Sequence, residues 1–177
     1  EAQISCSMTK IACIDGQRGD FRAMLMHSEN ALAHNKDNVL AVFLSAAADF
    51  RLGNKDAALD KLRNILKNDP LNHLARYLMV ITGEMSEGDF YGKLSSSPSQ
   101  TCLDLAFDLI SCGFDKEAEK LLRGVESCTD DVAPTIKYFL GEKAIQPDKH
   151  RTFPFRFEEI AVLEKADLTI VHAGVDL

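Results

Sequence analysis

The chain is poor in the marks of chemistry. It holds no Cys-x-x-Cys pair, no Gly-x-Gly-x-x-Gly turn, no Walker loop and no Gly-x-Ser-x-Gly elbow, so the usual signatures of zinc ribbons, nucleotide binding and serine hydrolysis are missing. No apolar run approaches the roughly 20 residues that a membrane span needs. No long basic stripe is present either, and 27 acidic against 20 basic residues leave a net charge of −7. Nucleic acid and anionic membrane surfaces are therefore not expected partners. Strand-like alternation is confined to Leu168–Val171. Cys6, Cys13, Cys102, Cys112 and Cys128 are odd in number and lack zinc-site spacing, so they are expected as buried free thiols in a reducing compartment, with the cytoplasm favoured. No metal or cofactor is expected. The chain opens at Glu1 without a signal peptide and is expected to be a piece of a longer protein.

What is present is helical periodicity. Hydrophobic content of 46% and charged content of 27% over 177 residues suit one globular domain, which at this size buries about 70% of its unfolded surface. From Asp56 to Asn68, the residues Ala58, Leu59, Leu62, Ile65 and Leu66 form one apolar stripe. Asn54 or Asp56 is placed to cap its start, and Asp69-Pro70 closes it because the residue before proline leaves the α region. Val39 to Leu52 is apolar on nearly every side, which requires neighbours all round. Further helices are expected over about Ile4–Asp15, Phe21–His34, Asn72–Gly83, Phe90–Leu94, Gln100–Cys112 (capped by Ser99), Asp115–Glu126, Asp131–Glu142 and Glu158–Lys165. The expected fold is all-α, stacked antiparallel helical hairpins forming an irregular right-handed superhelix.

A short grammar recurs within these helices. Gly53 is followed by Ala58 and Leu62, and Gly113 by Ala118 and Leu122, so each glycine turn opens a helix with a small residue and then an apolar one at fixed places. With the residues around it, this pattern resembles the tetratricopeptide repeat, a 34-residue helix–turn–helix unit. One unit spans residues 39–72, with Ala46, Gly53 and Ala58 in the family's small and turn positions and Pro70 closing it. A second begins near Ser99 and covers 99–132, with Ala106, Gly113, Ala118 and Leu122. A third covers 5–38, where Ala12 and Gly19 fit but Met24 stands in place of alanine. Irregular helices follow over 133–166, all within one domain of residues 1–177. Small residues at these places let paired helices cross closely. The resemblance implies a scaffold that binds rather than catalyses.

A narrower likeness is carried by Ala33–Ala41, Asp69–Tyr77 and Phe153–Ala166. These segments look like the repeat-rich tail of a poorly characterised bacterial family, in which a β-rich domain of unknown function precedes the repeats and carbohydrate-related roles are suspected. The likeness implies that any such activity lies outside these residues, and it carries over no catalytic residue.

Candidate chemistry is sparse. His27, His34, His73, His150 and His172 are scattered; His27 and His34 read as surface or cap residues, and His73 as packing beside Arg76 and Tyr77. Asp56, Asp60, Asp115, Glu117 and Glu119 sit near helix starts, where they complement the dipole. The Phe153-Pro154-Phe155-Arg156-Phe157 cluster reads first as a packed corner; its functional reading makes Arg156 a polar anchor for a partner.

The resemblance implies a groove lined by the first helix of each hairpin: Leu40, Phe43, Ala47 and Phe50 in one unit, Leu103, Phe107 and Ile110 in another. These residues are apolar, so the Lys/Asn/Arg clamp that grips peptide carboxylates in chaperone-binding repeats is missing. Three readings follow. The array holds a protein or peptide partner. Alternatively, it packs on another domain of its own full-length chain, or on a second copy, as a structural support for a carbohydrate-related domain. The third, a helical enzyme, is disfavoured for want of a convergent polar set, so no enzyme activity is expected.

Overall fold

The structure, a computed structural model, describes residues 1–94, 98–125, 133–141 and 157–160. Among these residues every regular element is helical, as the periodicity requires: α1 (Ala2–Gln17), α2 (Phe21–His34), α3 (Val39–Arg51), α4 (Lys55–Asn68), α5 (His73–Ile81), α6 (Glu87–Tyr91), α7 (Pro98–Ser111), α8 (Asp115–Arg123) and α9 (Ala133–Phe139). Residues 157–160 are also helical. The short helix expected at Phe90–Leu94 begins earlier, at Glu87, because Ser86 caps it by accepting from the Asp89 amide at 3.0 Å. Ser99 does not cap α7; Pro98 opens that helix and Ser99 lies buried inside its first turn. The strand-like Leu168–Val171 lies outside the described residues.

Contacts group the chain into two compact bodies. Glu1–Leu94 with Asp108–Glu117 make the first, and Ser95–Phe107 with Ala118–Leu177 the second.

In the first body, hairpins are closed by one repeated device. Gly19, Gly53, Gly83 and Gly113 all have φ between 74° and 88°, the left-handed region in which a Cβ is unfavourable. At each, the glycine amide bonds back three residues and the next amide bonds back five: Gly19 to Gly16 and Asp20 to Asp15; Gly53 to Phe50 and Asn54 to Asp49; Gly83 to Val80 and Glu84 to Met79; Gly113 to Ile110 and Phe114 to Leu109. This is the Schellman closure, which satisfies carbonyls left free at a helix end. Gly83 fills the interval between the two stretches that share the glycine-alanine-leucine grammar. Its hairpin is hidden in sequence because α5 has 9 residues against 13 in α3, and α6 only 5.

Between hairpins a second device repeats. Asn38 and Asn72 cap α3 and α5 by accepting from the amides of Ala41 and Ala75 at 3.1 and 3.0 Å. One turn before each, Asn35 and Asp69 accept from the amides of Asp37 and Leu71, both at 3.2 Å. The segments around these residues are two of those in the narrower likeness; of the third, only residues 157–160 are described.

Packing follows chain order: α2 lies on α1 and α3, and α3 also meets α4 and α5. That explains the all-round apolar character of α3, whose Ala41, Phe43, Leu44, Ala46, Ala47 and Ala48 are at most 1% exposed. The small residues Ala12, Ala46 and Ala58 are fully buried where the hairpins cross. Met24, in the place of a small residue, is buried as well. Its bulk fits because the facing helix carries Gly16, where a Cβ would stand 3.1 Å from the Met24 sulfur.

Residues 108–117 are held in the same body by contacts with α1, α3 and α5. A Cβ at Gly113 would fall on the carbonyl of Gly16, so the end of α1 and the Gly113 turn meet backbone to backbone. The Arg51 guanidinium lies 4.2 Å from the Phe114 ring centre and 3.0 Å from Glu117. Tyr77, buried against Phe90, donates to the Glu117 carbonyl at 3.0 Å.

The second body buries Cys102, Leu103, Ala106, Ala118, Leu121, Leu122 and Ile136. Phe107 meets Phe139 edge to face at 5.9 Å.

Candidate functional site

Most of the expected groove residues are core. In α3, Phe43 and Ala47 are 1% and 0% exposed, Phe50 is half-buried, and only Leu40, at 42%, reaches solvent. In α7, Leu103 and Phe107 are buried within the second body, and Ile110 is half-buried in the first. The physical reason is the enclosure of α3: its apolar side chains serve neighbouring helices instead of lining an open surface. Arg156 lies outside the described residues. Phe157, the last of its aromatic cluster, is 88% exposed. A depression of about 270 Å³ is lined by the apolar Val39, Val42 and Ile65 together with Lys36, Asp37 and Asp69.

A different apolar surface is open. Ile4, Ile11 and Ile14 are 43%, 37% and 44% exposed, and with Ser7 they form one stripe of α1 at helical spacing. Thirty-four residues later the same places hold Asn38, the cap of α3, and Ala41, Ser45 and Ala48 within it. There the stripe is turned toward the preceding hairpin. The Asn38 amide nitrogen donates to the hydroxyls of Ser5 and Thr9 on α1 at 2.9 and 3.0 Å, and Ala41, Ser45 and Ala48 are wholly buried. The stripe that seals one hairpin on its predecessor thus recurs on α1 with larger and more apolar residues, uncovered.

The polar groups that come together do so in pairs across hairpins. Asp49 is 5% exposed; it accepts from Lys61 at 2.6 Å and from Asn54 at 3.2 Å. Lys61 also donates to Ser45 at 2.5 Å. In the first hairpin, Asp15 and His27 meet at 2.6 Å. His27 is therefore paired rather than a bare surface residue, and its partner could have been found by shifting the Asp49–Lys61 pair back by 34 residues. Of the acidic residues near helix starts, Asp60 pairs with Arg63 and Glu117 with Arg51. His73 has a buried Nδ1 without a hydrogen-bond partner, and its pKa is held below the usual histidine value, first by burial and then by the Arg76 guanidinium.

The thiols are not uniformly buried. Cys102 and Cys112 are, Cys13 is half-buried and Cys6 is exposed; Cys128 lies outside the described residues. No cluster of His, Cys, Asp and Glu among the described residues is arranged to hold a metal ion. None of the described helices is long and apolar enough to cross a membrane.

Comparison of the chain with known protein families, with curated proteins and with solved structures finds no match.

Proposed function

We propose that the chain is a non-catalytic helical-repeat scaffold of the tetratricopeptide kind, which holds a protein partner or another domain of a longer chain against the exposed stripe of α1. The observation that carries this reading is the contrast between the two stripes. Asn38, Ala41, Ser45 and Ala48 seal against a preceding hairpin, whereas Ile4, Ser7, Ile11 and Ile14 face solvent. End repeats of stacked arrays need a polar outer face to stay soluble. An isoleucine row in that position is suited to an apolar helical surface. The regular closure at Gly19, Gly53, Gly83 and Gly113, the buried small residues and the 34-residue register of the first two hairpins support the repeat reading.

The test is site-specific photocrosslinking of the protein in extract from its source. A photoreactive residue at Ile11 should give a defined adduct, and the same probe at the exposed Glu119 should not. Ile4→Glu combined with Ile14→Glu should abolish the adduct and leave the melting temperature within a few degrees, because both side chains are already solvated. An Ile11 adduct that survives the double substitution, or no adduct beyond that at Glu119, overturns the reading.

A further inference from the structure

The end of α1 and the α7–α8 turn bring two cysteines together. Cys13 sits one turn before Gly16, and a Cβ at Gly16 would fall on the carbonyl of Cys112. The two thiols are near enough to perturb each other's acidity, and Ser111 Oγ lies 3.6 Å from Cys112 Sγ. Gly16 has no side chain to hold the end of α1 away from the backbone of Cys112, which brings Cys13, one turn earlier, toward the separation of about 4.4–6.8 Å between Cα atoms that a disulfide needs. Of the other described cysteines, Cys6 is exposed and Cys102 is buried in the second body.

We propose that Cys13 and Cys112 are a modification site, oxidised to a disulfide that fastens the first helix to the turn before α8. The oxidant is a low-molecular-weight disulfide. Cys13, half-buried, is the sulfur that such a molecule reaches first, and Cys112, buried, is the resolving partner. In the first step the Cys13 thiolate attacks one sulfur of the oxidant, forming a mixed disulfide and expelling one small thiolate. Cys112 then loses its proton to that thiolate, and its sulfur attacks the Cys13 sulfur, expelling the second small thiolate, which takes up the proton that Cys13 had lost. Two protein thiols give up two electrons, the oxidant's sulfur–sulfur bond accepts them, and two free small thiols leave.

The acid–base character of the pair matches this division of roles. The thiol of Cys112 lowers the pKa of Cys13, whereas the contact with Cys13, together with burial, raises that of Cys112. Cys13, the more accessible of the two, is thus the attacking sulfur, and the buried Cys112 closes the bond.

The experiment incubates the reduced, folded chain with oxidised glutathione, quenches with an alkylating reagent, and analyses the unreduced digest by mass spectrometry. A peptide pair joined through Cys13 and Cys112, two hydrogens lighter than the sum of its reduced peptides, is expected. It should be preceded in time by a glutathione adduct on Cys13. Cys112→Ser should stop the reaction at that adduct. In denaturant, pairing should spread over the other cysteines, which shows that the fold directs it. Recovery of Cys13 and Cys112 both alkylated, or joined to other cysteines in the native chain, overturns the proposal. The readout is independent of any partner, so it stands or falls apart from the scaffold reading.

Discussion

Asp49 and Lys61 meet at 2.6 Å across the α3–α4 hairpin, and 34 residues earlier Asp15 and His27 meet at the same distance across α1–α2. In each hairpin the acid lies four residues before the turn glycine and the base eight residues after it. At the Gly113 turn the same two places hold Leu109 and Leu121, both wholly buried. The acid–base pair of the first two hairpins is thus replaced by two leucines at the same places around the Gly113 turn.

The Asp49–Lys61 pair should be costly to break from one side. Lys61→Met leaves the Asp49 carboxylate buried with only the Asn54 amide. A fully buried pair loses about 3–5 kcal/mol when one partner is removed. Lys61 keeps 30% of its side chain in solvent, so a loss of about 2–3 kcal/mol is expected in urea denaturation. Adding Asp49→Leu, which removes the stranded charge, should recover part of it. A single variant as stable as the wild type would show that the pair contributes nothing.

Two turn glycines separate backbone strain from close approach. Nothing lies within 4 Å of a Cβ at Gly53, so Gly53→Ala meets only the left-handed φ of 88° and should cost about 1–2 kcal/mol. Gly113→Ala meets a similar φ and also the carbonyl of Gly16. A total of about 2–5 kcal/mol is expected. Equal melting temperatures for the two variants would mean that the end of α1 does not rest on the Gly113 turn.

Acid should weaken the fold in part through His73. Its folded pKa lies below the ordinary value of 6.5, so the unfolded chain binds its proton first. Stability present above about pH 6.5 is therefore lost as the pH falls through the unfolded value toward the folded one. His73→Asn removes this contribution. Urea midpoints at pH 7.5 and pH 5 should fall less for the variant than for the wild type, and equal falls would rule out the effect.

The hairpins were legible in sequence where their register was regular. Ala46, Gly53, Ala58 and Pro70 place α3 and α4, and Gly19 marks the preceding turn at the same interval. The α5–α6 hairpin was not legible, because its helices are short and no alanine-leucine signal follows Gly83. The groove was misplaced for a different reason. An apolar position such as Phe43 reads the same in sequence whether it lines an open surface or meets another helix, and α3 has neighbours that cover it. Ile11 and Ile14 fell outside the expected groove because they belong to the stripe that faces a preceding hairpin.

By itself, then, the sequence determined the local structure: apolar stripes at helical spacing, glycines where a helix must reverse, asparagines where the next begins. These depend on residues a few positions apart, and each is fixed by backbone sterics and local hydrogen bonds. Only the tertiary structure decided which apolar stripes are covered, which acid meets which base, and that Cys13 lies beside Cys112. Those are properties of residues distant in the chain, set by which helix comes to rest on which.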